Sequence, residues 1–131
     1  MTTTTAWSHD ELDLVGAAQE LRIASVRRDG SLSGGRTIWA VRPGDDIYVR
    51  SVNGPGSAWY RGTHVRREGR VKAGGVRKDV AFVDADQDLN TAVDTACGAK
   101  YGRYADYIIM AITSPEASST TFRLVPRPAD S

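Results

Sequence analysis

The chain has 131 residues, 40% of them hydrophobic and 25% charged, which is the make-up of one ordinary globular domain and not of a disordered segment. A net charge of +1 excludes bulk attraction to nucleic acid or to a membrane surface, and the longest apolar run, Ile108 to Ile112, is far too short to span a bilayer. Cys97 is the single cysteine, so no internal disulfide can form; together with a start that lacks the basic and apolar regions of a signal peptide, this predicts a cytoplasmic protein.

In chain order, Ser8-His9-Asp10-Glu11 fits a capping box, in which the serine hydroxyl and the glutamate each satisfy an orphaned backbone N–H. Trp7 and Leu12 take the hydrophobic-staple positions. The helix that follows should bury Leu12, Val15 and Ala18 and end near Gln19. Glu20 to Arg27 alternates as a strand, with Leu21, Ile23 and Ser25 on one face. Arg36 to Arg42 is rich in β-branched and aromatic residues and predicts a second strand. It should pair with Ile47–Ser51 across a Pro43-Gly44-Asp45-Asp46 turn, as a hairpin. A Gly/Pro loop from Asn53 to Ser57 leads into Trp59-Tyr60-Arg61.

Arg70–Ala73 and Val76–Val83 predict two more strands around Gly74-Gly75. Leu89, Ala92, Val93, Ala96 and Cys97 follow helical spacing and predict a helix from Leu89 to Lys100, with Asp86 or Asp88 as its cap. Tyr104, Tyr107, Ile108, Ala111 and Ile112 repeat the pattern in a second helix. Thr120 to Val125 alternates as a last strand before Pro126 and Pro128. The order is that of an α+β domain built on a small antiparallel β-barrel with helices packed on it. One domain is expected over residues 1–131, with 1–6 and 127–131 as flexible tails.

The stretch Arg-Thr-x-Trp-x-Val-x(6)-Tyr-Val-Arg-Ser-x-x-Gly-x(4)-Trp-Tyr-Arg-Gly, from Arg36 to Gly62, resembles the split-barrel superfamily that binds flavin or deazaflavin cofactors. Its arginine-bearing strand, hairpin, glycine loop and Trp-Tyr pair look like the deazaflavin-dependent nitroreductase branch. From Trp7 to Arg127 the chain is closer to a bacterial family, domain-of-unknown-function 2255. The resemblance is carried by Ile-Trp-Ala-Val-Arg, Tyr-Val-Arg-Ser, Trp-Tyr-Arg-Gly, Ala-Gly-Gly-Val, Ala-Lys-Tyr-Gly and Thr-Thr-Phe-Arg-Leu-Val-Pro-Arg. It implies an FMN-binding split barrel, a deazaflavin (coenzyme F420) or FMN as cofactor, and a homodimer. One departure is Gly62, where the deazaflavin branch usually carries asparagine.

Arg36, Arg50 and Ser51 stand at strands flanked by glycine loops, where guanidinium groups and free backbone N–H groups suit a phosphate or carboxylate. Alternatively the arginines pair with Asp45 and Asp46. Trp39, Trp59 and Tyr60 are either an aromatic wall for a flat ring or barrel core. Arg61, Arg66, Arg67, Arg70, Lys72, Arg77 and Lys78 cluster in sequence without a nucleic-acid motif, and a solvated strand edge is the expected explanation. Lys72, followed at once by Ala73-Gly74-Gly75, is the member of that cluster best placed for a pocket. Lys100 and Tyr101 either close the helix or reach the barrel mouth as anion ligand and proton donor.

His9, His64 and Cys97 have unrelated spacings and make no metal site. With no side-chain nucleophile in a recognisable setting, a bound cofactor would supply the reactivity of an enzyme. The resemblance implies hydride transfer to an activated double bond, carbonyl or nitro group, with the cofactor's acidic tail on Arg36, Arg50 and Lys72 and a proton from Tyr60 or Tyr101. The alternative is a small-molecule binding protein, or a cofactor-free enzyme, on the same fold.

Overall fold

A computed structural model describes residues 7–18, 20–26, 29, 31–32, 36–44, 46–51, 60–61, 67–85, 87–101 and 112–126. The capping box forms as read: the Ser8 hydroxyl accepts from the Glu11 N–H at 3.1 Å, and the Glu11 carboxylate accepts from the Ser8 N–H at 2.9 Å. Helix α1, His9–Ala17, buries Leu12 and Val15. Trp7 is buried ahead of it and donates its indole N–H to the Leu124 carbonyl at 2.9 Å, so the first element is pinned to the last strand.

Seven strand segments follow: β1 (Leu21–Ser25), β2 (Arg36–Ile38), β3 (Ala40–Val41), β4 (Ile47–Val49), β5 (Glu68–Ala73), β6 (Val76–Asp84) and β7 (Phe122–Pro126). They form one antiparallel sheet in the order β2-β1-β5-β6-β7-β4-β3. Segments β2 and β3 therefore lie at opposite edges of the sheet, yet only Trp39 separates them in the chain. The sheet must curl until its edges meet, which makes a nearly closed barrel.

That closure corrects the hairpin expected over residues 36–51. Only Ala40 and Val41 pair with β4, opposite Val49 and Tyr48, while Arg36 to Ile38 pair with β1. The uniform alternation of this segment conceals a change of partner at Trp39, which barrel closure demands.

Alternation then sorts side chains to two cores. Leu21, Ile23, Ala40, Ile47, Val49, Val71, Val80, Phe82, Phe122 and Leu124 fill the barrel, closed at one end by Trp7, Leu12 and Val15. Val41 and Tyr48 point outward and meet Val93, Cys97, Tyr101 and Ile112. Helix α2, Asn90–Tyr101, thus lies on the outer wall, entered through a 3-10 turn at Gln87–Leu89 that replaces the expected helical start at Leu89. Ala96 is half-buried, unlike its neighbours Val93 and Cys97.

A short helix absent from the sequence reading, α3 (Pro115–Ser118), is capped by the Ser114 hydroxyl, which accepts from the Ala117 N–H at 3.2 Å. Its C-terminal turn uses Thr120 and Thr121, so the last strand starts at Phe122 and runs through Pro126, opposite Val80. The expected helix from Tyr104 lies outside the described residues apart from Ile112, which is buried. Among the described residues no helix is long and apolar enough to cross a membrane.

Candidate functional site

Arg50 follows β4 on the outer face of the barrel, and α2 with the turn before β7 covers it. The residue is 2% exposed and every N–H of its guanidinium is engaged. Nε donates to Thr121 Oγ1 at 2.8 Å, and one Nη donates to Asp94 and to the Ile112 carbonyl. The other Nη donates to the carbonyl and side-chain oxygens of Asn90, each at 3.3 Å. A guanidinium with no donor left is a clamp between barrel and helix, not a ligand-facing group; its counter-ion is Asp94, while Asp46 lies near Arg123 and Asp45 falls outside the described residues. Ser51 is equally committed: buried, with its N–H donating to Thr120 Oγ1 at 2.8 Å.

Trp39, Lys100 and Tyr101 do come together, around the seam where the strand changes partner. The rings of Trp39 and Tyr101 stack at 3.9 Å with a 4° interplanar angle. The Tyr101 hydroxyl accepts from the Ala40 N–H at 3.3 Å and donates to the Ala40 carbonyl at 3.2 Å. One hydroxyl serves both backbone groups of an edge residue, as a neighbouring strand would. Lys100 Nζ donates to the same carbonyl at 2.6 Å and sits 5.1 Å from the Tyr101 ring. Burial pushes the Lys100 ammonium down to about 8. The stack leaves Trp39 half-buried, whereas Tyr101 is wholly enclosed. The crevice behind Trp39, lined by Val41, Tyr48, Val93 and Cys97 among others, measures about 10 Å³, room for a water and no more.

Tyr60 lies in the barrel core, stacked on Phe122 at 5.1 Å, and burial raises its phenol. Trp59 and Gly62 fall outside the described residues. Arg36 is exposed on β2, opposite Ile23.

Lys72 is remote from Arg50: the sheet order puts β5 three strands from β4. It lines instead a groove of about 170 Å³ on the barrel wall, with Arg22, Ala24, Leu32, Arg70 and Arg77. Register aligns Arg22, Lys72 and Arg77 in one row across β1, β5 and β6. Arg70 is neutralised by Asp79 at 2.7 Å. From Arg70 to Lys78 the basic run is not a strand edge, because β5 and β6 each pair on both sides.

Residues 11–124 match the sequence profile of domain-of-unknown-function 2255, described as an uncharacterized protein conserved in bacteria. The chain belongs to that family. No curated protein sequence matches this member of it. Among solved structures it is similar to an F420 reductase, with a TM-score of 0.55 and 15% identity over 90% of this chain and 92% of that one. It is similar to a conserved hypothetical protein from Mycobacterium tuberculosis, with a TM-score of 0.60 and 12% identity over 99% and 87%. An FAD and heme binding protein from Mycobacterium smegmatis follows with 0.52 and 15% over 98% and 69%. At such identities the likeness establishes the fold, the split barrel, and nothing finer.

For this member of the family, the sequence reading missed Arg22 and Asp94. Arg22 carried a signal, being the outward cation in an otherwise apolar-inward strand. Asp94 carried none, since its partner is 44 residues away.

Proposed function

We propose that the chain is an oxidoreductase of flavin type, holding FMN or the deazaflavin coenzyme F420 on the outer wall of its barrel at the seam. The observation that carries this reading is the half-buried Trp39 ring, backed in parallel by Tyr101, with the Lys100 ammonium beside it. A flat ring fits a flat indole, because offset stacking adds about 0.5–1.5 kcal/mol beyond burial. The crevice behind Trp39 is too small for such a ring, so the ring would lie over the indole from outside. When bound, the cofactor supplies hydride transfer to an activated double bond, carbonyl or nitro group.

The chain's own residues would do the rest. Trp39 orients the ring, and Tyr101 fixes Trp39 by stacking and by its two hydrogen bonds to Ala40. Lys100, lowered to about 8, holds a proton it can give up near neutral pH, which suits it to protonate a substrate. Tyr101 is a weaker proton donor, since its hydroxyl is spent on Ala40. A single wall covers only one face of a ring, whereas ligand sites bury most of a ligand's surface. A second copy of the chain would cover the other, and the reading includes a homodimer.

The test is the absorbance and fluorescence spectrum of protein purified from a deazaflavin-producing host, followed by titration with FMN and F420. A stoichiometric chromophore, or saturable binding that Trp39→Leu weakens tenfold or more, supports the reading. A colourless protein that binds neither cofactor overturns it and favours a binding protein without redox chemistry.

A further inference from the structure

Lys72 and Arg77 face each other across the Gly74-Gly75 hairpin, and strand register brings Arg22, fifty residues earlier, beside them. Lys72 lies opposite Arg22 across the β1–β5 ladder and opposite Arg77 across the β5–β6 ladder. Adjacent strands are about 4.8 Å apart, so the row spans about 10 Å. Like charges directly opposite each other destabilise a sheet. Several other cations among the described residues are matched: Arg42 with Asp13, Arg67 with Asp84, Lys78 with Glu11 and Arg123 with Asp46. Among the described residues no carboxylate lines the groove, and Asp79, opposite Arg70, is taken by that arginine. Protection of a sheet edge does not explain the row, because β1, β5 and β6 are all interior strands.

The groove is lined also by Ile23, Ala24, Val71 and Leu32. Its volume of about 170 Å³ is below the range of about 300–1,000 Å³ for sites that enclose a whole ligand. It suits one compact, highly charged group.

We propose that this groove is a binding site for a compact polyanion, a diphosphate or a phosphate beside a carboxylate. The two guanidinium groups would fork its ends, and the Lys72 ammonium would act as the central point charge. Such a group belongs either to a free phosphorylated metabolite or to the acidic tail of a larger cofactor. The site rests on the charge row and stands whether or not the seam at Trp39 carries redox chemistry.

The experiment is calorimetric titration of the full chain with inorganic pyrophosphate and inorganic phosphate at low salt, with amide chemical shifts recorded in parallel. Pyrophosphate should bind at least tenfold more tightly than phosphate, with shifts centred on residues 22, 72 and 77. Arg77→Gln and Lys72→Gln should each weaken pyrophosphate about tenfold or more, while Arg123→Gln should not. Because these side chains are exposed, the unliganded variants should melt no lower than wild type. The same variants titrated with FMN and F420 separate the two sources. Parallel weakening assigns the groove to a cofactor tail; weakening of pyrophosphate alone assigns it to a separate metabolite. Unchanged pyrophosphate affinity in both variants, shifts centred elsewhere, or tighter binding of a single-stranded oligonucleotide through the same residues would overturn the proposal.

Discussion

Arg50 and Asp94 clasp the barrel to helix α2: an arginine side chain 1% exposed meets an aspartate side chain 39% exposed across the outer wall. The pair is asymmetric. The arginine has no access to water and depends on its protein partners, while the aspartate is still partly hydrated. The identity of the cation is therefore a folding matter here, since the fork reaches Thr121, Ile112, Asn90 and Asp94 at once.

Replacing Arg50 by Ala should cost about 3–5 kcal/mol, the range for breaking a buried pair. Arg50→Lys keeps the charge and loses the fork, for about 1.5–3 kcal/mol. Asp94→Asn should cost less than Arg50→Ala, because the amide keeps an Oδ1 acceptor and the other contacts of the guanidinium stay in place. Urea denaturation of the three variants checks the ranking; stability unaltered in Arg50→Lys would contradict the clamp.

Tyr60 separates a core role from a chemical one. Tyr60→Phe keeps the ring on Phe122 and should cost far less stability than Tyr60→Ala, while leaving any cofactor-dependent turnover close to wild type. Tyr60→Ala opens a cavity in the barrel and should cost about 3–5 kcal/mol. Turnover abolished in a well-folded Tyr60→Phe would restore the tyrosine as a proton donor.

The hairpin that carries Lys72 and Arg77 is set by its turn. Gly74 has φ +57°, and a Cβ there would fall 2.3 Å from the Leu14 carbonyl oxygen at the end of α1. Gly75 has φ +83° with open space around it. Ala at Gly75 pays only the left-handed backbone, about 1–2 kcal/mol. Ala at Gly74 pays that and a backbone clash, so Gly74→Ala should be clearly the less stable in thermal melts. Equal melting temperatures would mean that α1 yields freely to the hairpin tip.

Local signals were legible in this sequence and long-range choices were not. The capping box at Ser8 and Glu11, the Gly74-Gly75 hairpin and the apolar stripe of Val93 and Cys97 are each complete within a few residues. The split barrel itself came from resemblance. The break at Trp39 was invisible because alternation continues through it, and only closure of the sheet dictates the change of partner. Helix α3 was visible in principle, for Ser114-Pro115 is a cap followed by a first-turn proline, but it sits beside a stronger strand pattern. Arg50 shows the limit most plainly. A strand-end arginine before a glycine loop reads as an anion ligand, and nothing nearby reveals that Asn90, Asp94, Ile112 and Thr121 will cover it. The Gly74-Gly75 turn sets Lys72 opposite Arg77, but placing Arg22 beside them likewise needs the β1–β5 register.

Lys100 makes stability depend on pH in a direction opposite to a surface lysine that gains a salt bridge. Burial lowers it from 10.5 to about 8, with the Cys97 thiol acting weakly the other way. Between about 8 and 10.5 the unfolded chain binds a proton that the folded chain has released. Stability attributable to this group therefore rises with pH across that window, and below about 8 the cost of burying the charge is carried in full. Cys97 opposes it: burial pushes the thiol from 9.0 up to about 11, so its contribution is present below 9.0 and is lost toward about 11. Wild type alone mixes the two, and the difference between wild type and Lys100→Met isolates the lysine. That difference should move in favour of wild type as pH is raised from 8 to 10, measured by urea denaturation at each pH. In the same range Cys97 should react with a thiol reagent only slowly until denaturant is added, since it is 3% exposed and protonated. Parallel stability curves for wild type and Lys100→Met would show that the ammonium at the seam is solvated and titrates as a surface group, and would remove Lys100 as a proton source near neutral pH.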